Sequence, residues 1–222
     1  MSEFDLVIFD CDGVLVDSEM LSGHVFIATL KEFDIALSER AFFEKMIGKS
    51  YESAVAAVAE ETGKMPPPVF KERLRKALLE RFEAELRPVD GIARLLSALT
   101  AKHCVATSSD PVRASRSLAI AGLDTFFGLD IFSATMVQNG KPAPDLFLYA
   151  AHACATAPER CVVIEDSGYG LIAAKKAGMT AWHFTGASHF KSGYRVAETI
   201  ERDASYASMK DLLEAFRGRG MA

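Results

Sequence analysis

Short apolar runs at 6–9, 104–107, 131–134, 161–165 and 181–184 alternate with helix-patterned stretches at 91–99, 112–121, 144–155, 170–177 and 209–216, and a weaker run lies near Tyr206. Parallel strands need a crossover between them, and a helix is the usual one. The alternation therefore predicts an α/β chain with a Rossmann-like parallel sheet and helices on both faces. Such sheets bind ligands beyond the carboxyl ends of their strands. The pattern is interrupted once. Between the first strand and Pro88 the sequence reads as four helices, at 18–34, 39–46, 50–62 and 69–85, punctuated by Ser38, Gly48, Gly63 and Pro66-Pro67-Pro68. The expected organisation is a core of residues 1–15 and 87–222, with a helical cap, 16–86, inserted where the first strand ends.

Half of the residues are hydrophobic and a quarter are charged, the balance of a globular protein. A net charge of -5 without a basic run leaves no electrostatic footprint for nucleic acid or an anionic membrane. No apolar run approaches the roughly 20 residues that cross a bilayer, and Met1-Ser2-Glu3 leads into the first strand without a signal-peptide pattern. Cys11, Cys104, Cys154 and Cys161 form no C-x-x-C pair and read as reduced structural thiols. The expectation is a cytoplasmic protein without nucleic-acid or membrane partners. It is a monomer by default, because the cap is large enough to cover its own site.

Chemistry collects at the strand ends. The first strand runs into Asp10-Cys11-Asp12-Gly13. A carboxylate held there can act as nucleophile or metal ligand, a second can carry protons, and Gly13 lets the backbone turn and approach a ligand. The EF-hand reading of D-x-D-G fails, since the sixth and twelfth positions counted from Asp10 are Leu15 and Leu21. The second strand ends in Thr107-Ser108-Ser109, hydroxyls suited to phosphate oxygens. Asn139-Gly140-Lys141-Pro142 presents a lysine after the third, and the fourth ends in Glu165-Asp166-Ser167-Gly168. Oxygen ligands beside a lysine and hydroxyls suit a magnesium ion and a phosphate.

Four motifs in this order, D-C-D-G at 10–13, T-S-S at 107–109, K-P at 141–142 and E-D-S-G at 165–168, resemble the haloacid dehalogenase superfamily over nearly the whole chain. The likeness is to its subfamily I phosphatases with a helical cap of the C1 type. It implies a magnesium-dependent phosphomonoester hydrolase of a small phosphorylated metabolite, a sugar phosphate above all, working through an aspartyl-phosphate. Asp10 would be the nucleophile and a magnesium ligand. Asp12 would protonate the leaving alcohol and activate water, its backbone carbonyl touching the metal. Thr107 and Lys141 would hold phosphoryl oxygens; Asp166 would complete the metal shell, with Glu165 acting directly or through water. Gly13, Ser108 and Ser109 would line the phosphate site.

Two other readings belong beside this one. The β-phosphoglucomutases carry a histidine where this chain has Ser22 and an arginine in the cap loop where it has Tyr51, so the resemblance favours hydrolysis over mutase chemistry. A non-catalytic phospho-acceptor domain would share the carboxylates, hydroxyl and lysine, but would lack the cap and any use for Asp12. Gly168-Tyr169-Gly170-Leu171-Ile172-Ala173 fits the dinucleotide pattern G-x-G-x-x-A, yet the next strand runs into Thr185-Gly186 with no acidic residue for a ribose. Those glycines read as room for a helix close to the sheet. In the cap, Gly48-Lys49-Ser50-Tyr51 is the candidate specificity loop, with Lys49 as its substrate contact; His24 and His189 read as surface or core.

Overall fold

The computed structural model describes residues 3–222. Six parallel strands, β1 (Leu6–Phe9), β2 (Lys102–Thr107), β3 (Ile131–Ser133), β4 (Cys161–Glu165), β5 (Thr180–Phe184) and β6 (Ala204–Tyr206), form one sheet in the order β3-β2-β1-β4-β5-β6. The chain builds outward from β1 to β2 and β3, then crosses back to β4 on the other side. β1 is thus the topological switch point, where such sheets open a crevice. In register, Phe9 lies beside Val105 of β2 and Ile164 of β4, so the residues after each strand emerge at one edge.

Alternation within the strands decides what covers each face. Leu6, Ile8, Cys104, Ala106, Cys161, Val163 and Ala181 pack under α8 (Asp145–Ala153) and α9 (Gly168–Lys176). Val7, Phe9, Val105, Val162, Ile164 and Trp182 face the opposite layer, with α5 (Ile92–Ala98), α6 (Pro111–Ile120), α7 (Asp124–Phe127) and α11 (Met209–Arg217). Both faces are covered, and β1 accordingly reads as an unbroken apolar run rather than an alternating one. All four cysteines are free, three of them buried.

The insertion after β1 is helical: α1 (Glu19–Lys31), α2 (Glu39–Lys45), α3 (Tyr51–Thr62) and α4 (Val69–Glu85). Ser38 and Ser50 accept from the amides of Ala41 and Ser53, and Gly63 closes α3 at φ 71°, a conformation that costs a glycine little. Phe26, Phe42 and Phe70 interlock inside these helices. The chain leaves and re-enters the core as a crossed pair: Asp17 donates to the Arg87 carbonyl at 3.0 Å and Val89 to that of Leu15 at 3.0 Å.

Differences from the sequence reading are confined to ends and short pieces. β2 begins at Lys102, two residues before the expected start, because the edge residues of a parallel strand can be polar. α1 stops at Lys31 rather than 34, and Asp34 takes a positive φ of 55° at the turn. The four-residue helices α7 and α10 (Ser188–Lys191) are too short to show a helical period.

Candidate active site

The strand ends gather Asp10, Asp12, Thr107, Ser108, Ser109, Lys141, Glu165 and Asp166 at the carboxyl edge of the sheet. All but Asp166 line a cavity of about 600 Å³ whose opposite wall is the helical insertion. Lys141 enters from the loop after β3. Its Nζ is buried and donates to Asp10 Oδ1 at 2.7 Å, to Glu165 Oε1 at 2.6 Å and to the Ala106 carbonyl at 3.0 Å. Burial opposes its charge, but the carboxylates of Asp10 and Glu165 outweigh that and hold the ammonium firmly protonated. Burial also drives the Asp10 carboxyl well above the ordinary range, against the pull of Lys141.

Asp12 has a different environment two residues on. Its Oδ1 accepts from Ser18 Oγ at 2.5 Å and Arg113 Nη2 at 2.9 Å, and its Oδ2 from Ser109 Oγ at 2.6 Å. Burial alone would raise this carboxyl; the Arg113 charge and the hydrogen bonds from Ser109, Ser18 and Arg113 hold it below the ordinary range. One strand end therefore presents two carboxyl groups pushed in opposite directions.

Asp10, Glu165 and Asp166 each offer an oxygen, all within 4.8 Å of one another. Asp166 Oδ2 is buried without a hydrogen-bond partner, and burial followed by the charge of Glu165 pushes its carboxyl well up. His189 Nε2 stands 3.1 Å from this oxygen, off the line of a hydrogen bond. An uncompensated oxygen in a buried acidic cluster fits a hard divalent cation such as magnesium. Glu165 is more fully engaged. Its Oε1 takes Lys141, while its Oε2 accepts from the Ser167 amide at 2.8 Å and from Ser167 Oγ at 2.9 Å.

Two glycines make the room. Gly13 has φ +82°, and a Cβ there would lie 1.9 Å from Asp166 Oδ2. A Cβ at Gly170 would lie 1.8 Å from Glu165 Oε1, so the G-x-G pattern clears space for a carboxylate.

The remaining expected residues divide their contacts. Thr107 Oγ1 accepts from the Ser109 amide at 3.0 Å, and Ser108 Oγ donates to the Gly48 carbonyl of the insertion at 3.2 Å. Lys49 lines the cavity with Nζ 5.3 Å from the Tyr169 ring centre. Three residues were not read from the sequence: Ser18, Glu19 and Arg113. Glu19 lines the cavity, and burial, then the charges of Asp12 and Asp166, push its carboxyl up to about 8. Arg113 did leave a signal. It sits in the first turn of α6, where the helix dipole disfavours a cation, so something outside the helix must hold it.

The family model for haloacid dehalogenase-like hydrolases matches residues 7–183. The chain belongs to this family. Within the haloacid dehalogenase-like hydrolases it is 29% identical over 221 residues to the 6-phosphogluconate phosphatase of Escherichia coli strain K12, covering 99% of this chain and 98% of that one. It is 31% identical over 189 residues to the β-phosphoglucomutase of Bacillus subtilis strain 168, covering 79% of this chain and 80% of that one. A crystal structure of a haloacid dehalogenase-like protein of unknown function from Agrobacterium tumefaciens strain C58 superposes with a TM-score of 0.78 at 32% identity, covering 98% of this chain and 99% of that one. Among the described residues no helix is long and apolar enough to cross a membrane.

Proposed function

We propose that this protein is a magnesium-dependent phosphomonoester hydrolase of a small phosphorylated carbohydrate, working through a phosphoryl group on Asp10. The observation that carries the reading is the pairing at one strand end of Asp10, bonded to the buried Lys141, with Asp12, bonded to Ser18, Ser109 and Arg113. The relatives that act on 6-phosphogluconate and phosphoglucose, by their names, support a carbohydrate phosphate. Residues 1–15 and 87–222 serve as the core and 16–86 as the cap that closes over the leaving group.

Asp10 attacks phosphorus in line and the ester oxygen departs. An ester arriving as its monoanion would pass its proton to the ionised Asp12, which gives it to the departing oxygen and then takes one from the water that hydrolyses the acyl phosphate. Lys141 and Thr107 hold the equatorial oxygens, with Ser108 and Ser109 beside them, and Gly13 lets the loop pass close. Asp10, Asp166 and the Asp12 carbonyl would hold magnesium, with Glu165 reaching it through water because both its oxygens are engaged. The ion supplies charge neutralisation between carboxylates and phosphate. Ser22 and Tyr51 support hydrolysis over phosphoryl return to a second sugar hydroxyl: Ser22 binds Arg113 at 3.1 Å, and Tyr51 stacks against Phe70.

The test is phosphate release from a panel of sugar phosphates, nucleotides and phosphonates, with and without magnesium. Magnesium-dependent turnover that vanishes in Asp10→Asn, with phosphate trapped on Asp10 by acid quench, is the expected result. Turnover surviving in Asp10→Asn would sink the reading.

A further inference from the structure

Three of the six cations that line the cavity are paired at its exposed margin: Lys71 with Glu52, Arg75 with Glu72 and Arg116 with Glu83. Arg113 is different. Its guanidinium lies 5.3 Å from the Phe82 ring centre on α4 and reaches the cavity between the cap and Asp12. All of its hydrogen bonds run through Nη2, to Asp12 at 2.9 Å and Ser22 at 3.1 Å, and Nε is buried without a partner. A guanidinium carries five donors in a planar fork that matches a carboxylate. Here Nη2 is spent on Asp12 and Ser22 and Nε is closed off, which leaves Nη1 as the donor without a partner.

The position relative to the chemistry matters more than the charge. Resting on the hydrolase reading above, a leaving oxygen must come within about 2.6–3.2 Å of Asp12 to receive its proton. Arg113 touches that same carboxylate, so its free Nη1 would lie within reach of the leaving group. The cavity wall also carries Leu74, Leu78 and Phe82, an apolar surface without donors of its own. Because Asp12 already balances part of the Arg113 charge, one further negative charge is matched there, whereas a second phosphate dianion would be in excess.

We propose that Arg113 recognises a carboxylate on the leaving group, so that the substrates are phosphorylated sugar acids rather than phosphates of neutral sugars. Recognition through a charge-assisted hydrogen bond from Nη1 is worth on the order of 10- to 100-fold in affinity.

Binding without turnover separates this from the chemistry. In the Asp10→Asn protein with magnesium present, calorimetry would compare 3-phosphoglycerate with glycerol 3-phosphate and 6-phosphogluconate with glucitol 6-phosphate. The acid of at least one pair should bind about 10- to 100-fold more tightly than its neutral partner. Arg113→Met, which keeps a flexible stem against Phe82, should bring that ratio near one, and Arg113→Lys should restore part of it. Both variants disturb Asp12 equally for acid and neutral ligand, so the ratio reports recognition alone. Equal binding of acid and neutral, an acid preference that survives Arg113→Met, no binding of either acid, or tighter Arg113-dependent binding of fructose 1,6-bisphosphate would each overturn the assignment. An acid preference in a protein whose wild type hydrolyses no ester would leave the carboxylate site standing and remove the phosphatase reading instead.

Discussion

Lys141 Nζ donates to Asp10 Oδ1 at 2.7 Å across 131 positions of sequence, with both side chains closed off from solvent. The same ammonium also bonds Glu165, so a single cation separates two carboxylates that would otherwise repel each other. Removing one member of a buried charge network leaves the rest uncompensated, typically at a cost of about 3–5 kcal/mol. Lys141→Met should therefore lower the thermal midpoint of the metal-free protein sharply. Added magnesium, which screens the same carboxylates, should restore part of it while turnover stays at least about 10²-fold down for want of the phosphate-holding cation. A scanning calorimetry series with and without magnesium checks both; an unchanged metal-free midpoint would show that Lys141 is not what compensates Asp10 and Glu165.

The cap reaches the core through Gly48. It has φ +75°, its carbonyl accepts from Ser108, and a Cβ there would lie 2.5 Å from Ser167 Oγ. Gly48→Ala should hold the cap away from the sheet, raising KM about tenfold or more, since closure around substrate assembles such sites. The Gly48→Ala, Ser167→Gly double variant relieves the overlap but not the backbone strain and should recover part of the loss. If KM does not move in the single variant, this contact is not what seats the cap.

How much of this was legible in sequence depends on where each residue sits. Asp10, Thr107, Glu165 and Asp166 stand at or just after strand ends, with Lys141 in the loop that follows β3, and strand ends can be located from local apolar patterning. Once a parallel sheet is inferred, those ends must share an edge. Arg113, Ser18 and Glu19 come from helix starts on two different layers, and nothing in a linear pattern says that α6 and α1 meet over Asp12. Their convergence depends on how the cap sits on the core. The same applies to the bonds that the Ser108 and Ser109 hydroxyls make to Gly48 and Asp12.

Acid should weaken the fold through His183. This ring is buried beneath the site, with Nε2 3.2 Å from the Asp166 carbonyl and Nδ1 3.2 Å from Arg202 Nη1. Arg202 can only donate, so Nδ1 accepts and the ring is neutral with its proton on Nε2. Burial, then the Arg202 charge, lowers its pKa to about 4. The unfolded chain, titrating near the ordinary value of about 6.5, binds more protons between these limits. His183 therefore favours the fold fully above about pH 6.5, and that advantage fades as pH falls toward 4. Glu19 has the opposite sign, its stabilisation fading as pH rises toward its value of about 8. Comparing wild type with His183→Gln cancels the Glu19 contribution. The difference in unfolding free energy should shrink as pH drops from 7 to 4, by less than the one-proton limit of about 1.4 kcal/mol per pH unit. A difference that stays flat over this range would show that His183 is not held neutral.

Asp12 is bonded by Ser18, Ser109 and Arg113 in a way that favours its ionised form, the form that accepts a proton from water. Its two tasks can be separated by the choice of ester. 4-Nitrophenolate leaves without needing a proton, so Asp12→Asn should still transfer the phosphoryl group of 4-nitrophenyl phosphate to Asp10. Hydrolysis of the acyl phosphate does need a base and should slow by about 10²–10⁴-fold. Rapid mixing should then show a burst of about one equivalent of nitrophenol per site followed by a stall, the signature of an accumulating covalent intermediate. With a sugar phosphate, whose alcohol must be protonated to leave, the same variant should show neither burst nor turnover. Steady turnover of the nitrophenyl ester at the wild-type rate would mean that water is activated by some group other than Asp12.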